Sequence, residues 1–245
     1  MKVLDFIKDN FQKGKKLLAI LVDPDDVENL QDLISRLRNH PPDIILVGGS
    51  IIKKSNFHDV VDALKLSNIA PVLLFPGDFS QVSFNADGVL LLSLISGRNP
   101  EYLINQHVKA SMVIKEWGGE IIPTSYILID GGNTTTVQKV SQTSPMKQND
   151  LQSILATALA GQQLGQQISY LEAGSGAKIN VDVGIIKAVR SELNIPIIVG
   201  GGIRNVQKAR EVWVNGATIV VIGTAFENGD INLAELLSQR DELNK

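Results

Sequence analysis

The 245-residue chain contains no cysteine, which excludes a disulfide framework, a thiolate zinc site and a cysteine nucleophile together. Long apolar runs are also missing. Stretches such as 44–47 and 89–92 fall far short of the roughly 20 residues that a membrane-spanning helix needs. The first ten residues carry Lys2, Asp5, Lys8 and Asp9 in place of a continuous apolar segment, so no export signal is read and a soluble cytoplasmic protein is expected. An excess of positive charge is absent too. A net charge of −3 leaves no basic field to attract nucleic acid by counterion release, which favours small-molecule partners.

What is present suits a well-cored α/β protein, because 44% of residues are hydrophobic and only 20% are charged. Short runs rich in Val, Ile and Leu recur at 17–22, 44–47, 71–75, 88–92, 121–128, 167–172, 196–199 and 218–222. They are apolar throughout instead of alternating, the pattern of strands buried on both faces of a parallel sheet. Helical spacing follows at 27–38 (with Asp26 as N-cap), 58–66, 100–117, 150–164, 181–192, 205–215 and 233–239. Eight such units in about 250 residues predict one (β/α)8 TIM barrel across residues 1–245. The third unit is the exception: Pro76-Gly77-Asp78-Phe79 is too short and broken for a helix, which predicts a gap in the outer ring and an apolar crevice beside it. The longest irregular stretch, 130–149, reads as an active-site loop.

Barrel enzymes build their sites from the loops after the strands and frequently bind phosphate after strands seven and eight. Gly200-Gly201-Gly202 follows strand seven, where glycine lets the backbone approach an anion and a helix beginning near Arg204 aims its first amides at the same place. Gly223-Thr224 repeats a glycine turn after strand eight. Ordinary turn chemistry is the simpler alternative for either cluster alone. Strand six ends in Tyr170-Leu171-Glu172-Ala173-Gly174-Ser175-Gly176, which places Tyr170 and Glu172 on one face toward the barrel mouth. Glu172 suits a general base that takes a proton from an attacking hydroxyl, and Tyr170 a phenol that holds the substrate. The competing role for Glu172 is an ion pair with a nearby Lys or Arg.

Asp23 closes strand one and Ser50 follows Gly48-Gly49 at the end of strand two, so both offer the oxygen ligands that Mg2+ prefers. For Asp25 and Asp26 helix capping is expected. No lysine sits within a strand for a Schiff base and no Gly-x-Ser-x-Gly elbow is present, which disfavours covalent catalysis. His40, His58 and His107 all fall in or beside helices and read as surface or packing residues.

Together the 170–176 segment and the two glycine turns resemble the glycerol-phosphate site of the geranylgeranylglyceryl phosphate synthase family. Further landmarks are Asp23-Pro24-Asp25, Val47-Gly48-Gly49-Ser50, Ser96-Gly97-Arg98-Asn99-Pro100-Glu101-Tyr102-Leu103 and Thr124-Ser125-Tyr126-Ile127-Leu128. The Ala-Gly-Ser-Gly form after Glu172 is similar to the second group of that family. The resemblance implies an enzyme that joins sn-glycerol 1-phosphate to geranylgeranyl diphosphate through an ether bond, with Mg2+ as cofactor. It implies Asp23 and Ser50 at the metal. Tyr170, Leu171, Glu172, Ala173, Gly174, Ser175, Gly176, Gly201, Gly202, Gly223 and Thr224 would hold glycerol 1-phosphate, with Glu172 as base. A prenyl groove near the third gap and a homo-oligomeric state are implied likewise. Tyr102 and Trp117, on the fourth helix, are read as packing or interface residues, with packing preferred. The Asp-Asp-x-x-Asp pair of all-helical prenyl synthases is absent, so chain elongation is not expected.

Two other readings compete. A sugar-phosphate isomerase would share the glycine turns and needs an acid and base pair, which Asp23 with Asp130 would imitate. A non-catalytic carrier of prenyl diphosphates would keep Asp23 and need no base.

Overall fold

A computed structural model describes residues 2–54 and 56–245, and among them eight parallel strands close into a barrel. The strands are β1 (Leu17–Val22), β2 (Ile44–Val47), β3 (Val72–Leu74), β4 (Gly88–Leu94), β5 (Glu120–Leu128), β6 (Ile168–Glu172), β7 (Ile197–Gly200) and β8 (Ile219–Ile222). Each pairs with its neighbours in sequence, and β8 returns to β1 with Leu17 opposite Ile219. The uniform apolarity of the strands follows from this closure. Along β1, Leu17 and Ala19 fill the barrel interior while Leu18 and Ile20 pack under the helices.

The jacket comprises α2 (Leu30–Asn39), α3 (Phe57–Ser67), α4 (Gln106–Trp117), α6 (Leu151–Gln163), α7 (Val183–Glu192), α8 (Val206–Val214) and α10 (Leu233–Leu243), with a short α5 (Thr136–Ser141) before α6 and a short α9 (Thr224–Glu227) before α10. A π-helical turn at Glu101–Asn105 leads into α4. Between β3 and β4, residues 75–87 form turns and no helix, as the sequence anticipates. Gln81 pins that segment inward by donating from Nε2 to the Gly49 carbonyl at 3.0 Å and accepting from the Gly77 amide at 3.1 Å.

Two elements differ from expectation. Helix α2 begins at Leu30, and its cap is Asn29, whose Oδ1 accepts from the amides of Gln31 and Asp32 at 3.0 and 3.1 Å. Asp26 does not cap it, because Asp23 Oδ1 accepts from the Asp25 amide and winds Pro24–Asp26 into a separate 3-10 turn. Asp25 caps no helix either; its carboxylate accepts the Lys53 and Lys54 amides at 2.9 and 2.8 Å and ties the loop after β1 to the loop after β2.

The second difference is α1 (Val3–Gln12), which precedes the barrel and drives Val3 and Ile7 into its interior cluster. Its first amides would be orphaned at the barrel floor. Glu120, the first residue of β5, meets them: Oε2 accepts from Val3 at 2.6 Å and Oε1 from Leu4 at 3.2 Å. Glu120→Ala is therefore expected to cost about 1–2 kcal/mol, as loss of a helix cap does. In a protein of this size the melting temperature should fall by about 2–8 °C, read by calorimetry. No helix among the described residues is long and apolar enough to cross a membrane.

Candidate active site

The barrel strands deliver their last side chains to a polar mouth, and Glu172 is the deepest acid there. Register places Glu172 of β6 opposite Gly200 of β7. A Cβ at Gly200 would stand 2.6 Å from both Glu172 Oε2 and the Tyr170 hydroxyl, so only glycine leaves the carboxylate its space. Glu172 Oε1 accepts from the Gly174 amide at 2.5 Å, and among the described residues no Lys or Arg pairs with it. Burial, at 6% exposure, pushes its carboxyl from the ordinary 4.5 up to about 7, against the opposing pull of the Gly174 amide and the Tyr170 hydroxyl. A carboxyl poised there can exchange a proton near neutral pH.

Beneath Glu172 lies an aromatic floor that the sequence did not reveal. Tyr170 stacks on Phe75 with centroids 5.3 Å apart and tilts against Tyr126 at 5.4 Å. Burial, reinforced by the Glu172 charge, raises both phenols well above their usual range, so they remain protonated donors. The Tyr170 hydroxyl acts on Glu172 through space but completes no hydrogen bond among the described residues. An unsatisfied buried donor beside a base is suited to meet a substrate oxygen.

The glycine turns surround this centre. Ser175, Gly176, Gly201, Gly202, Gly223 and Thr224 line the mouth with Tyr170 and Glu172, and Ser175 Oγ lies 3.2 Å from Thr224 Oγ1, joining the loops after β6 and β8. Gly201 (φ +82°) and Gly202 (φ +71°) adopt left-handed backbone that turns the chain tightly before α8. Leu171, Ala173 and Gly174 stand behind this wall: Leu171 and Ala173 pack outward in the barrel–helix layer, and the Ala173 amide donates to the Gly200 carbonyl at 3.1 Å. Arg204 also lines the mouth and is held by the Ala177 carbonyl at 2.9 Å.

Across the mouth, the Asp23 carboxylate lies over Gly49, where an added Cβ would come within 2.5 Å of its Oδ2, and Ser50 is the next residue. Burial raises the Asp23 carboxyl. No three His, Cys, Asp or Glu side chains among the described residues converge into a metal cage. Two oxygen donors on an open rim fit Mg2+ of the kind that completes its octahedron with waters and substrate phosphate. Asp130, by contrast, does not line the mouth; its Oδ1 accepts from the Gly132 amide at 2.9 Å within its own turn, so it forms no pair with Asp23.

Glu227, at the end of α9, escaped sequence reasoning because its position depends on a four-residue helix. It lines the mouth, accepts the Asp23 amide at 3.2 Å, and is pushed up to about 7 by burial and then by Asp26 and Asp23. Its one trace in sequence is a lone acid three residues after the Gly223-Thr224 turn.

An apolar cleft of about 860 Å3, counting its open part, runs from this mouth. The two share Gly49, Ser50, Phe75, Tyr126 and Val137. The cleft passes Leu91, Val82, Ala110 and Ile114, beside the segment where a jacket helix is missing. Helix α5 forms part of its wall through Val137 and Val140, so the 130–149 stretch is partly ordered and borders both cavities. His107, read as packing, borders the cleft and bonds the Leu92 carbonyl through Nε2 at 2.8 Å. Tyr102 lines the cleft as well, and Trp117, which packs against Val82, Ala110 and Ile114, donates from Nε1 to the Phe84 carbonyl at 2.8 Å.

A closed β/α barrel with a buried carboxylate, glycine turns after its last two strands and an adjoining apolar cleft defines a class of barrel enzyme able to take a polar phosphorylated partner and a hydrocarbon together. The chain belongs to the PcrB family, whose match covers residues 11–239. It is 51% identical over 231 residues to the geranylgeranylglyceryl phosphate synthase of Zunongwangia profunda, spanning 94% of this chain and 98% of that protein. The Pyrococcus abyssi protein of the same name is 39% identical, over 93% of this chain and 90% of the relative. Among solved structures, the (S)-3-O-geranylgeranylglyceryl phosphate synthase of Thermoplasma acidophilum in complex with sn-glycerol-1-phosphate superposes with a TM-score of 0.91 at 30% identity, covering 99% of both chains.

Proposed function

We propose that this chain is a prenyltransferase that joins sn-glycerol 1-phosphate to geranylgeranyl diphosphate through an ether bond and releases diphosphate. The observation that carries this reading is the contiguity of two unlike cavities at Glu172: a glycine-walled polar mouth and an apolar cleft that share Phe75 and Tyr126. The names of the relatives and the sn-glycerol-1-phosphate bound to the Thermoplasma protein support it.

In this reading the acceptor phosphate lies against the turns at Gly201-Gly202 and Gly223-Thr224, with Ser175 and Thr224 hydroxyls beside it. Its terminal hydroxyl then faces Glu172. The ionised Glu172 accepts the hydroxyl proton as the oxygen bonds to the prenyl carbon, while the diphosphate departs with the electron pair of the broken C–O bond. Tyr170 donates to an acceptor oxygen and fixes its direction. Phe75, Tyr126 and the cleft keep water from the reacting carbon. Asp23 and Ser50 are the residues that would hold Mg2+. Such an ion would supply positive charge against the leaving diphosphate, which the acids of the rim otherwise repel.

We also infer a homo-oligomer. Ile104, Val108 and Met112 lie one turn apart along the outer face of the helix containing α4 and are 60–72% exposed, an apolar stripe that burial against a second copy would cover. Light scattering on the purified chain tests this.

The function is tested by mixing the protein with sn-glycerol 1-phosphate, a prenyl diphosphate and Mg2+ and measuring free diphosphate. Release is expected only with all three present. Its absence with the complete mixture overturns the reading, and a series of donors of different length shows which tail the cleft accepts.

A further inference from the structure

The amide of Asp23 poses an accounting problem at the end of β1. Along this strand the odd-numbered amides face β8, as Leu17 does when it donates to the Thr218 carbonyl at 2.8 Å. Pairing with β8 runs only as far as Ile20 opposite Ile222. Beyond it the chain turns into α9, and the Thr224 carbonyl is taken by the Asn228 amide at 3.0 Å. The ladder thus offers Asp23 no partner, although a partly buried amide requires one. Glu227 supplies it from the far end of α9, with Oε1 3.2 Å from the Asp23 nitrogen.

We propose that Glu227 is a positioning residue for Asp23, fixing the backbone at the end of β1 so that the Asp23 carboxylate is carried over Gly49 to the side of Ser50. This rests on the reading of Asp23 and Ser50 as the pair that faces Mg2+ and the donor diphosphate. Three features set the arrangement apart from ordinary helix anchoring. Asp23 already spends Oδ1 on the Asp25 amide, so its remaining oxygen is aimed by the backbone and not by a side-chain partner of its own. No Lys or Arg among the described residues pairs with Glu227, which leaves the Asp23 amide as the one hydrogen-bonded neighbour of its carboxylate among them. Helix α9 is also held independently: Arg36 of α2 donates to the Phe226 carbonyl, and its guanidinium lies 4.3 Å from the Phe226 ring centre. Loss of the Glu227 carboxylate therefore frees the end of β1 while the Gly223-Thr224 turn keeps its anchor.

The test is calorimetric titration of the full chain, first with inorganic diphosphate in the presence and absence of Mg2+, then separately with sn-glycerol 1-phosphate. Glu227→Ala should weaken Mg2+-dependent diphosphate binding about tenfold, the scale of one lost hydrogen bond to a charged group, and leave glycerol phosphate affinity within about threefold. Glu227→Gln should restore diphosphate binding to within about threefold, because its amide oxygen still accepts. Unchanged diphosphate binding in Glu227→Ala overturns the proposal. So does an equal loss of glycerol phosphate binding, which would mean that α9 had collapsed. A Glu227→Gln variant as weak as Glu227→Ala overturns it too, since charge and not the accepted hydrogen bond would then matter. If the unaltered protein binds diphosphate no better with Mg2+ than without, the reading of Asp23 and this proposal fall together, whereas binding that Glu227→Ala leaves untouched removes this proposal alone.

Discussion

Glu172→Gln is expected to slow turnover by roughly a thousandfold, within the range that a positioned general base contributes, while both substrates still bind. Glutamine keeps the size and can still accept from the Gly174 amide, so the variant removes proton acceptance with little change of shape. Single-turnover kinetics separate the two effects. Turnover near the unaltered rate would exclude Glu172 as the base, and unaffected function is what a non-catalytic carrier requires. The unaltered enzyme should also show a kcat/KM that climbs about tenfold per pH unit below pH 7 and levels above it, because only the ionised carboxylate accepts a proton and burial sets its midpoint at about 7.

The same burial has a cost in stability with a definite sign. The folded carboxyl holds its proton more tightly than the unfolded one, whose value stays at the ordinary 4.5. Stability is therefore lost as pH rises from about 4.5 to 7, and the loss is complete above that window. It amounts to about 3 kcal/mol. Glu172→Gln has no such charge to bury. It should match the unaltered protein near pH 4.5 and melt higher near pH 8, so that the variant gains stability where it has lost activity.

Gly201→Ala should damage both stability and catalysis. A methyl group there would stand 2.6 Å from the Gly174 amide nitrogen and 2.8 Å from that of Ala173, and it would press on Glu172 Oε1. The left-handed backbone at φ +82° adds about 1–2 kcal/mol of its own. We expect kcat/KM to fall at least about a hundredfold, since displacement of the base and its loop by an ångström suffices for that. The melting temperature should fall by several degrees. Gly165→Ala, between α6 and β6 and away from both the mouth and the cleft, is the matched control: its φ is +92°, yet nothing lies within 4 Å of the added carbon. It should carry the backbone strain with little loss of rate. Equal activity in the two variants would show that crowding around Glu172 is not what Gly201 prevents.

Much of the fold was legible because closure into a parallel barrel buries both faces of every strand, and that leaves unbroken apolar runs in sequence. The eight strands lie within about two residues of their expected places. The missing third jacket helix was legible for the opposite reason, since Pro76-Gly77-Asp78 cannot continue any helical pattern. Helix α1 was not read, although Val3 and Ile7 have helical spacing, because its burial depends on the barrel floor and on Glu120 more than a hundred residues away. The cap of α2 was misplaced for a local reason: Asp23 and Pro24 consume Asp25 and Asp26 in their own turn. In the site, Tyr170 and Glu172 share a face because strands alternate. The stack of Phe75, Tyr126 and Tyr170 joins three strands and has no signature along the chain. Glu227 was hidden in the same way, since its neighbour Asp23 is separated from it by nearly the whole sequence.

A barrel that omits one jacket helix leaves part of its wall undressed, and here Leu91, Val82, Ala110 and Ile114 form a small satellite core apart from the main layer. A prenyl tail lying along it would act as a removable piece of that core. Loading the donor then resembles a last step of folding, with the negative heat-capacity change that burial of apolar surface brings. Without such a tail the molecule would be the less finished of two forms, with part of the apolar lining of its cleft left to water.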